Sequence, residues 1–190
     1  MAEESVIALN SLRLAQSFAK ILKDMRGFEY RLDEAHGRVR KAGQPGGGFP
    51  MRVGIRYSGF LNGEYVAFLG IETAARLAGL WTAGEGLPAL EAAREEGESL
   101  IKEVLNSAVG SAIRELERMA GGLDFEPATV DYRDTDAALP PAPFPANPGK
   151  HPSPSTSGLG DPWGELLILG DAGPVLCCFF MDPRGAGDAA

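Results

Sequence analysis

The sequence predicts an α/β (α+β) fold in which two long helices pack on one face of a mostly antiparallel sheet. Three patterns support this prediction. Apolar residues recur three and four positions apart in residues 98–119, which is typical of a helix that buries one face. The pair Asn62-Gly63 stands between two alternating runs and predicts a β-hairpin. The apolar run of residues 175–181 is typical of a central strand that is covered on both sides.

The first helix is predicted over residues 5–26, because apolar residues there approximate one stripe and Gly27 provides a stop. The members of that stripe are Val6, Leu9, Leu12, Ala15 or Gln16, Ala19, Leu22 and Met25. These side chains are therefore expected to face the core.

Two further helices are predicted in the middle of the chain. A short one covers residues 72–81 and ends before a Gly- and Pro-containing break. The long one covers residues 88–119, with Pro88 in its first turn, where proline is well tolerated. A bend at Gly97 is a possible interruption of this helix.

Strands are predicted where apolar and polar residues alternate or where short apolar runs lie between turn residues. These segments are residues 28–32, 51–60, 64–70, 125–131, 163–169 and 174–181. Residues 36–50 contain three consecutive glycines and predict a loop. A phosphate-binding loop is not indicated, because the glycines lead into Phe49-Pro50 and not into Lys-Ser/Thr at a helix start.

A change of composition divides the chain after residue 133. Residues 134–162 hold eight prolines and no apolar periodicity, which predicts a flexible insertion with polyproline II tendency. The remainder, residues 1–133 and 163–190, is then a single domain. A docking segment for an aromatic groove is the alternative interpretation of the insertion, although its composition favours a linker.

The charge excludes some classes of function. The formal net charge is −8 and no basic block is present, which argues against nucleic acids and anionic membrane surfaces as partners. No apolar run reaches eighteen residues, and the first residues lack the pattern of a signal peptide. A cytoplasmic location is therefore expected.

The cysteines and histidines of the sequence do not indicate a metal or redox site. Cys177 and Cys178 are neighbours on a predicted strand, so they should point to opposite faces and remain reduced. His36 and His151 fall in separate predicted loops without companion ligands. No metal site is predicted on this chain.

The long helix carries a second stripe on the side opposite its apolar face. Ser99, Glu103, Asn106 and Gly110 share it at a rotation of roughly 100° per residue. Asparagine competes with the backbone for hydrogen bonds in mid-helix, and glycine costs about 1 kcal/mol relative to alanine. Two locally unfavourable residues on the solvent side of a strong helix indicate a functional surface.

The pattern resembles the active-site helix of the CheC/CheX/FliY family of chemotaxis response-regulator phosphatases. The resemblance rests on Ser99-x3-Glu103-x2-Asn106-x3-Gly110, followed by Pro127. Residues 62–75, which contain Glu-Thr-Ala-Ala, look like the family's strand that runs into a helix. Residues 123–130 look like the strand after the active helix. The resemblance covers residues 5–133 and, more weakly, 163–182, and within the family it is closest to CheX.

The resemblance implies a site and a partner. Asn106 would orient the water that attacks the phosphoaspartate of a CheY-type response regulator, and Glu103 would dock to that regulator's lysine. Ser99 and Gly110 would take part in partner binding. The Mg²⁺ would belong to the regulator, so no cofactor is expected on this chain. Dimerisation of CheX-like proteins through sheet edges also implies a possible homodimer.

Other interpretations remain open at this point. Some family members carry a second Glu-x2-Asn, but the comparable residues here are Ile7 to Asn10, without the carboxylate. One site is therefore expected, with Asn10 as a capping or surface residue. Glu-x2-Asn also occurs by chance on solvated helix faces. The chain could instead be a non-catalytic binding module of the same fold, or a scaffold that works through its Pro-rich insertion.

Overall fold

A computed structural model of the chain describes residues 2–40, 48–59, 62–80, 87–114, 117, 122–132 and 163–182. The described elements are α1 (Ala2–Arg26), β1 (Tyr30–Arg40), β2 (Met51–Gly59), β3 (Asn62–Leu69), α2 (Ile71–Ala78), α3 (Leu87–Ala112), β4 (Leu123–Phe125), β5 (Thr129–Tyr132), β6 (Trp163–Gly170) and β7 (Val175–Asp182). The predicted Pro-rich insertion lies outside the described residues, so it stays a prediction.

The seven strands form one sheet in the order β1-β6-β7-β3-β2-β4, and β5 also pairs with β2. All of the described strand pairs are antiparallel. The two predicted hairpins correspond to β2–β3 and β6–β7. Asn62 and Gly63, which were predicted to stand between the two strands of the first hairpin, instead begin β3. The prediction of an α/β (α+β) fold with a mostly antiparallel sheet is therefore confirmed.

One face of the sheet and the inner sides of the helices share the main core. This core includes Phe18 of α1, Leu105 of α3 and Tyr65 of β3, each fully buried. A smaller apolar cluster lies on the opposite face of the sheet and includes Phe68 and Trp163. Because side chains alternate along a strand, β7 contributes Cys177 to the first cluster and Cys178 to the second. Both cysteines are buried, and neither forms a disulfide with the other. Burial raises the pKa of the Cys177 thiol.

The buried face of α1 differs from the predicted stripe. Leu9, Leu12 and Met25 are 41%, 36% and 42% exposed, so this part of the prediction is wrong. The buried face instead contains two polar residues among its apolar ones: Ile7, Asn10, Ser11, Leu14, Ala15, Phe18 and Leu22. Polar groups can be buried when their hydrogen bonds are satisfied. The Ser11 hydroxyl donates to the Ile7 carbonyl oxygen at 2.9 Å.

Gly164 of β6 allows α1 to pack closely against the sheet. A Cβ built there would lie 2.4 Å from the Ser11 Oγ and 2.9 Å from the Ile7 carbonyl oxygen. The helix backbone can approach β6 this closely only because Gly164 has no side chain. Which side of α1 faces the sheet therefore depends on the small size of Gly164 as well as on the apolar residues of the helix.

Strand β1 is longer than predicted, and residues 36–40 are strand where a loop was expected. The register between β1 and β6 shifts between Asp33 and Arg38. Beyond that irregularity pairing resumes, and Arg40 forms an ion pair with Glu165 of β6. Pairing with β6, which is distant in sequence, therefore extends β1 through residues that lack a regular alternation of apolar and polar side chains. Residues 41–47 of the predicted loop lie outside the described residues.

The strand predicted at residues 125–131 is two strands. Phe125 pairs with Tyr57 and Thr129 pairs with Gly54, so three residues, 126–128, stand opposite two residues of β2. This extra residue is the geometry of a β-bulge. Pro127 lies in it, where its missing N–H removes no ladder hydrogen bond.

The helix ends follow local stereochemistry. Gly27 has a φ of 75° and ends α1, and Gly79 has a φ of 75° and caps α2. In α3, helical hydrogen bonds continue past Ala112, since the Ile113 N–H donates to the Val109 carbonyl oxygen at 2.9 Å. The predicted end of this helix at Met119 lies outside the described residues. Among the helices that the structure describes, none has the length and apolarity of a membrane span.

Gly97 is required by the contact between α2 and α3. A Cβ built on it would lie 3.0 Å from the Ala74 carbonyl carbon and 3.2 Å from the Ala74 Cβ. Gly97→Val is therefore expected to lower the free energy of unfolding by about 1–3 kcal/mol through overpacking. Chemical denaturation measures this change.

Gly110→Val is the matched control, because a Cβ at Gly110 meets nothing within 4 Å. An unfolding free energy of Gly97→Val equal to or above that of the control would contradict the close α2–α3 contact.

Candidate functional site

The rotation of α3 about its axis is fixed by its buried face. Ile101, Val104, Leu105 and Ala108 are all 0% exposed in the main core. Residues on the opposite side must then face outward, because successive residues are rotated by roughly 100°. The four predicted site residues Ser99, Glu103, Asn106 and Gly110 are all exposed.

Glu103 and Asn106 lie on one uninterrupted helix. α3 runs from Leu87 to Ala112, so the two residues lie in its second half, three positions apart. Side chains at this spacing are neighbours on a helix surface. A carboxylate and an amide therefore project together into solvent. The carboxylate accepts hydrogen bonds and attracts cations, while the amide both donates and accepts.

Two surface hollows flank this stripe. One has a volume of about 370 Å³ and includes Asn106, Gly110 and Phe125 in its lining. The other has a volume of about 310 Å³ and includes Ser99, Glu103 and Leu80. The exposed stripe Ser99, Glu103, Asn106 and Gly110 is called the ridge of α3 below. Its first two residues border the smaller hollow and its last two border the larger one.

Gly110 differs from Gly97, although both are glycines within α3. No packing contact among the described residues requires a glycine at position 110, since a Cβ there meets none of their atoms within 4 Å. The residue is exposed at the edge of the larger hollow. A glycine that the fold does not need leaves room for the close approach of another molecule.

A polar cluster fixes the first half of α3 to β5. The Arg94 Nε lies 3.0 Å from the Glu98 carboxylate, and the Arg94 guanidinium carbon lies 4.3 Å from the centroid of the Tyr132 ring. The Tyr132 hydroxyl donates to the same carboxylate. Burial and then the Glu98 hydrogen bond raise the pKa of Tyr132. The sequence analysis missed this cluster, because Tyr132 is 34 residues from Glu98 and no local pattern joins them.

Asn10 is part of the core. It is 4% exposed, its side-chain amide donates to the Val6 carbonyl oxygen at 2.9 Å, and its oxygen accepts from the Tyr65 hydroxyl at 3.0 Å. The expectation that Asn10 caps a helix or lies on the surface is therefore wrong. Because the Asn10 amide is buried and hydrogen-bonded within the chain, it is not available to a second molecule. α1 therefore has no exposed asparagine at position 10 that would correspond to Asn106 of α3.

The described residues contain no group of three or more His, Cys, Asp or Glu side chains that could hold a metal ion. His36 lies on β1, which corrects its assignment to a loop. His151 lies outside the described residues.

Comparison with solved structures identifies the fold. The CheC-like superfamily protein of Shewanella sp. PV-4 has a TM-score of 0.60 and 13% identity, with coverage of 92% of this chain and 98% of that one. Chemotaxis protein CheX of Vibrio vulnificus has a TM-score of 0.59 and 15% identity, with coverage of 90% and 97%. This chain has the CheC/CheX fold. The family resemblance predicted from the sequence is thus confirmed at the level of the fold.

A third CheC/CheX-fold structure includes a partner. It is a complex of CheX, CheY, BeF₃ and Mg²⁺ from Borrelia burgdorferi, with a TM-score of 0.55 and 15% identity, and the match covers 89% of this chain and 95% of that one. The chain matches no family model, and no curated protein matches its sequence. At 13–15% identity, the similarity to these three structures is a similarity of fold.

Gly110→Ala is expected to stabilise the protein. Alanine is favoured over glycine in a helix interior by about 1 kcal/mol, and the new methyl group meets no atom within 4 Å. The free energy of unfolding should rise by up to that amount in chemical denaturation. A decrease would show that Gly110 serves a packing role within the chain.

Proposed function

We propose that this protein is a phosphatase that hydrolyses the phosphoaspartate of a CheY-type response regulator. The observation that carries the proposal is the exposed pair Glu103 and Asn106, held on the outer side of an α3 whose inner side is fully buried. The resemblance of the surrounding motif and the shared CheC/CheX fold support it. A CheX protein of that fold also forms a complex with CheY.

Asn106 is the proposed catalytic residue. Phosphoryl transfer depends mainly on positioning the nucleophile in line with the breaking bond and on stabilising charge. The amide oxygen of Asn106 accepts a hydrogen bond from a water molecule and its NH₂ group donates one, so the side chain can orient that water without being consumed. The water oxygen attacks phosphorus, the bond to the aspartate oxygen breaks, and inorganic phosphate leaves.

Glu103 is the proposed docking residue. Its carboxylate would pair with the lysine beside the regulator's phosphorylation site and hold the two proteins in register. Ser99 and Gly110, one turn before Glu103 and one turn after Asn106, would extend the contact along the ridge. The Mg²⁺ is supplied by the regulator. The homodimer implied by the family resemblance stays a prediction.

A non-catalytic binding module is the second candidate function. Asn106 lines the larger hollow together with Phe125, where it could serve as a contact residue and not as a water-orienting group. Such a module would bind the regulator or a flagellar-switch protein and leave the lifetime of the phosphoaspartate unchanged. The rate measurement below separates the two functions.

Asn106→Ala is expected to reduce regulator dephosphorylation by about 100-fold, because the attacking water loses its orientation. Phosphate release from a phosphorylated regulator measures this rate. The melting temperature should stay close to that of the wild type, since the side chain is exposed.

Ser111→Ala is the matched control, because Ser111 is also exposed on α3 but is not three or four residues from any residue of the stripe and lines neither hollow. Its rate should equal that of the wild type. Equal phosphate release by wild type and Asn106→Ala would reject the catalytic role.

Glu103→Gln is expected to raise the KM for the phosphorylated regulator by about ten-fold and to weaken its dependence on ionic strength, because a charge pair across the interface is lost. Steady-state kinetics at two salt concentrations test this. Glu72→Gln removes an exposed carboxylate from α2, outside both hollows, and serves as the control. Identical salt dependence of wild type and Glu103→Gln would contradict the docking role.

A further inference from the structure

The ridge alone is too small to hold a partner. Specific protein interfaces usually bury about 800 Å² on each partner. A few apolar or aromatic residues near the centre of such interfaces contribute most of the binding energy. A regulator that binds Glu103 and Asn106 must therefore also contact the surfaces beside them.

Two exposed apolar side chains are located on those surfaces. The described residues include six large apolar side chains with substantial exposure: Leu9, Leu12, Met25, Leu80, Phe125 and Tyr132. Leu80 is 49% exposed and borders the hollow that contains Glu103. Phe125 is 38% exposed and borders the hollow that contains Asn106. The other four line neither hollow. One exposed apolar group thus borders each of the two hollows.

The backbone holds both residues in place. The Leu80 N–H donates to the Ala75 carbonyl oxygen at 3.2 Å, next to the left-handed Gly79 that caps α2. Phe125 is paired with Tyr57 in the sheet, and the centroids of their rings are 6.1 Å apart. A contact residue that is already ordered loses little conformational entropy on binding.

The charges of the two hollows follow the same pattern. The smaller hollow contains Glu96, Glu103 and Arg26. The larger one contains Glu117, Glu126 and Arg114. Each therefore carries two carboxylates and one guanidinium, which favours a partner surface with an excess of positive charge. The lysine beside the regulator's phosphorylation site is a positive group of this kind.

We propose that Leu80 and Phe125 are docking residues that contact apolar side chains of the response regulator beside its phosphorylation site. This inference rests on the proposed function. Leu80 and Phe125 then determine the affinity for the regulator, and Asn106 determines the rate of hydrolysis.

The experiment measures kcat and KM for a phosphorylated CheY-type regulator with Leu80→Ala, Phe125→Ala and the double variant of the full chain. Each single variant raises KM by about ten-fold, while kcat stays within two-fold of the wild type because Asn106 is intact. The double variant raises KM by about 100-fold, since the two residues do not contact a shared pocket. The Kd for the regulator bound to Mg²⁺ and beryllium fluoride changes in the same ratios.

Leu9→Ala and Leu12→Ala are the controls, because they remove leucines that are 41% and 36% exposed on α1 and border neither hollow. Circular dichroism and thermal unfolding identify any variant that loses the fold. Leu80→Ser and Phe125→Leu then provide a second measurement at each position.

The possible failures are distinguishable. If the wild type shortens the phosphoaspartate lifetime but the Leu80 and Phe125 variants match the Leu9 and Leu12 controls in KM and Kd, the docking inference is overturned and the proposed function stands. If the wild type binds without changing that lifetime, the phosphatase proposal fails and the Kd ratios still test the docking residues. If the wild type shows neither binding nor acceleration, both are overturned.

Discussion

The site depends on how the buried face of α3 fixes the helix in the core. Four fully buried residues, Ile101, Val104, Leu105 and Ala108, determine which side of the helix faces the solvent. Burial of such side chains contributes about 1.5–3 kcal/mol each for the larger ones, so rotation of the helix would be costly. Glu103 and Asn106 are held outward by contacts that they do not make themselves. Substitution at these two positions can therefore change chemistry without changing the fold.

Residues on α1 and α3 show what sequence periodicity could predict. The buried face of α3 is uniformly apolar, so the exposed side of Glu103 and Asn106 followed from spacing alone. The buried face of α1 includes Asn10 and Ser11, and a search for apolar residues selected Leu9 and Leu12 instead. Hydrogen bonds to Val6, Ile7 and Tyr65 satisfy these polar groups, and the partners become visible only in three dimensions.

Contacts between distant segments explain the other differences. Strand β1 continues to Arg40 because β6 pairs with it, although its sequence does not alternate there. The cluster of Arg94, Glu98 and Tyr132 joins α3 to β5 across a long stretch of sequence. The two hollows likewise include residues distant from α3 in sequence, Leu80 just after α2 and Phe125 of β4. The propensities of single segments do not predict such contacts. The motif on α3 could be recognised because all four of its residues lie on one helix.

The central claim is that the ridge of α3 acts on a phosphoaspartate of another protein. The most direct test is the lifetime of a phosphorylated CheY-type regulator under single-turnover conditions, with and without an excess of this protein. The account predicts that the lifetime shortens as the concentration of the protein rises and then reaches a plateau when the regulator is fully bound. A lifetime that stays the same at concentrations where binding is saturated would contradict it.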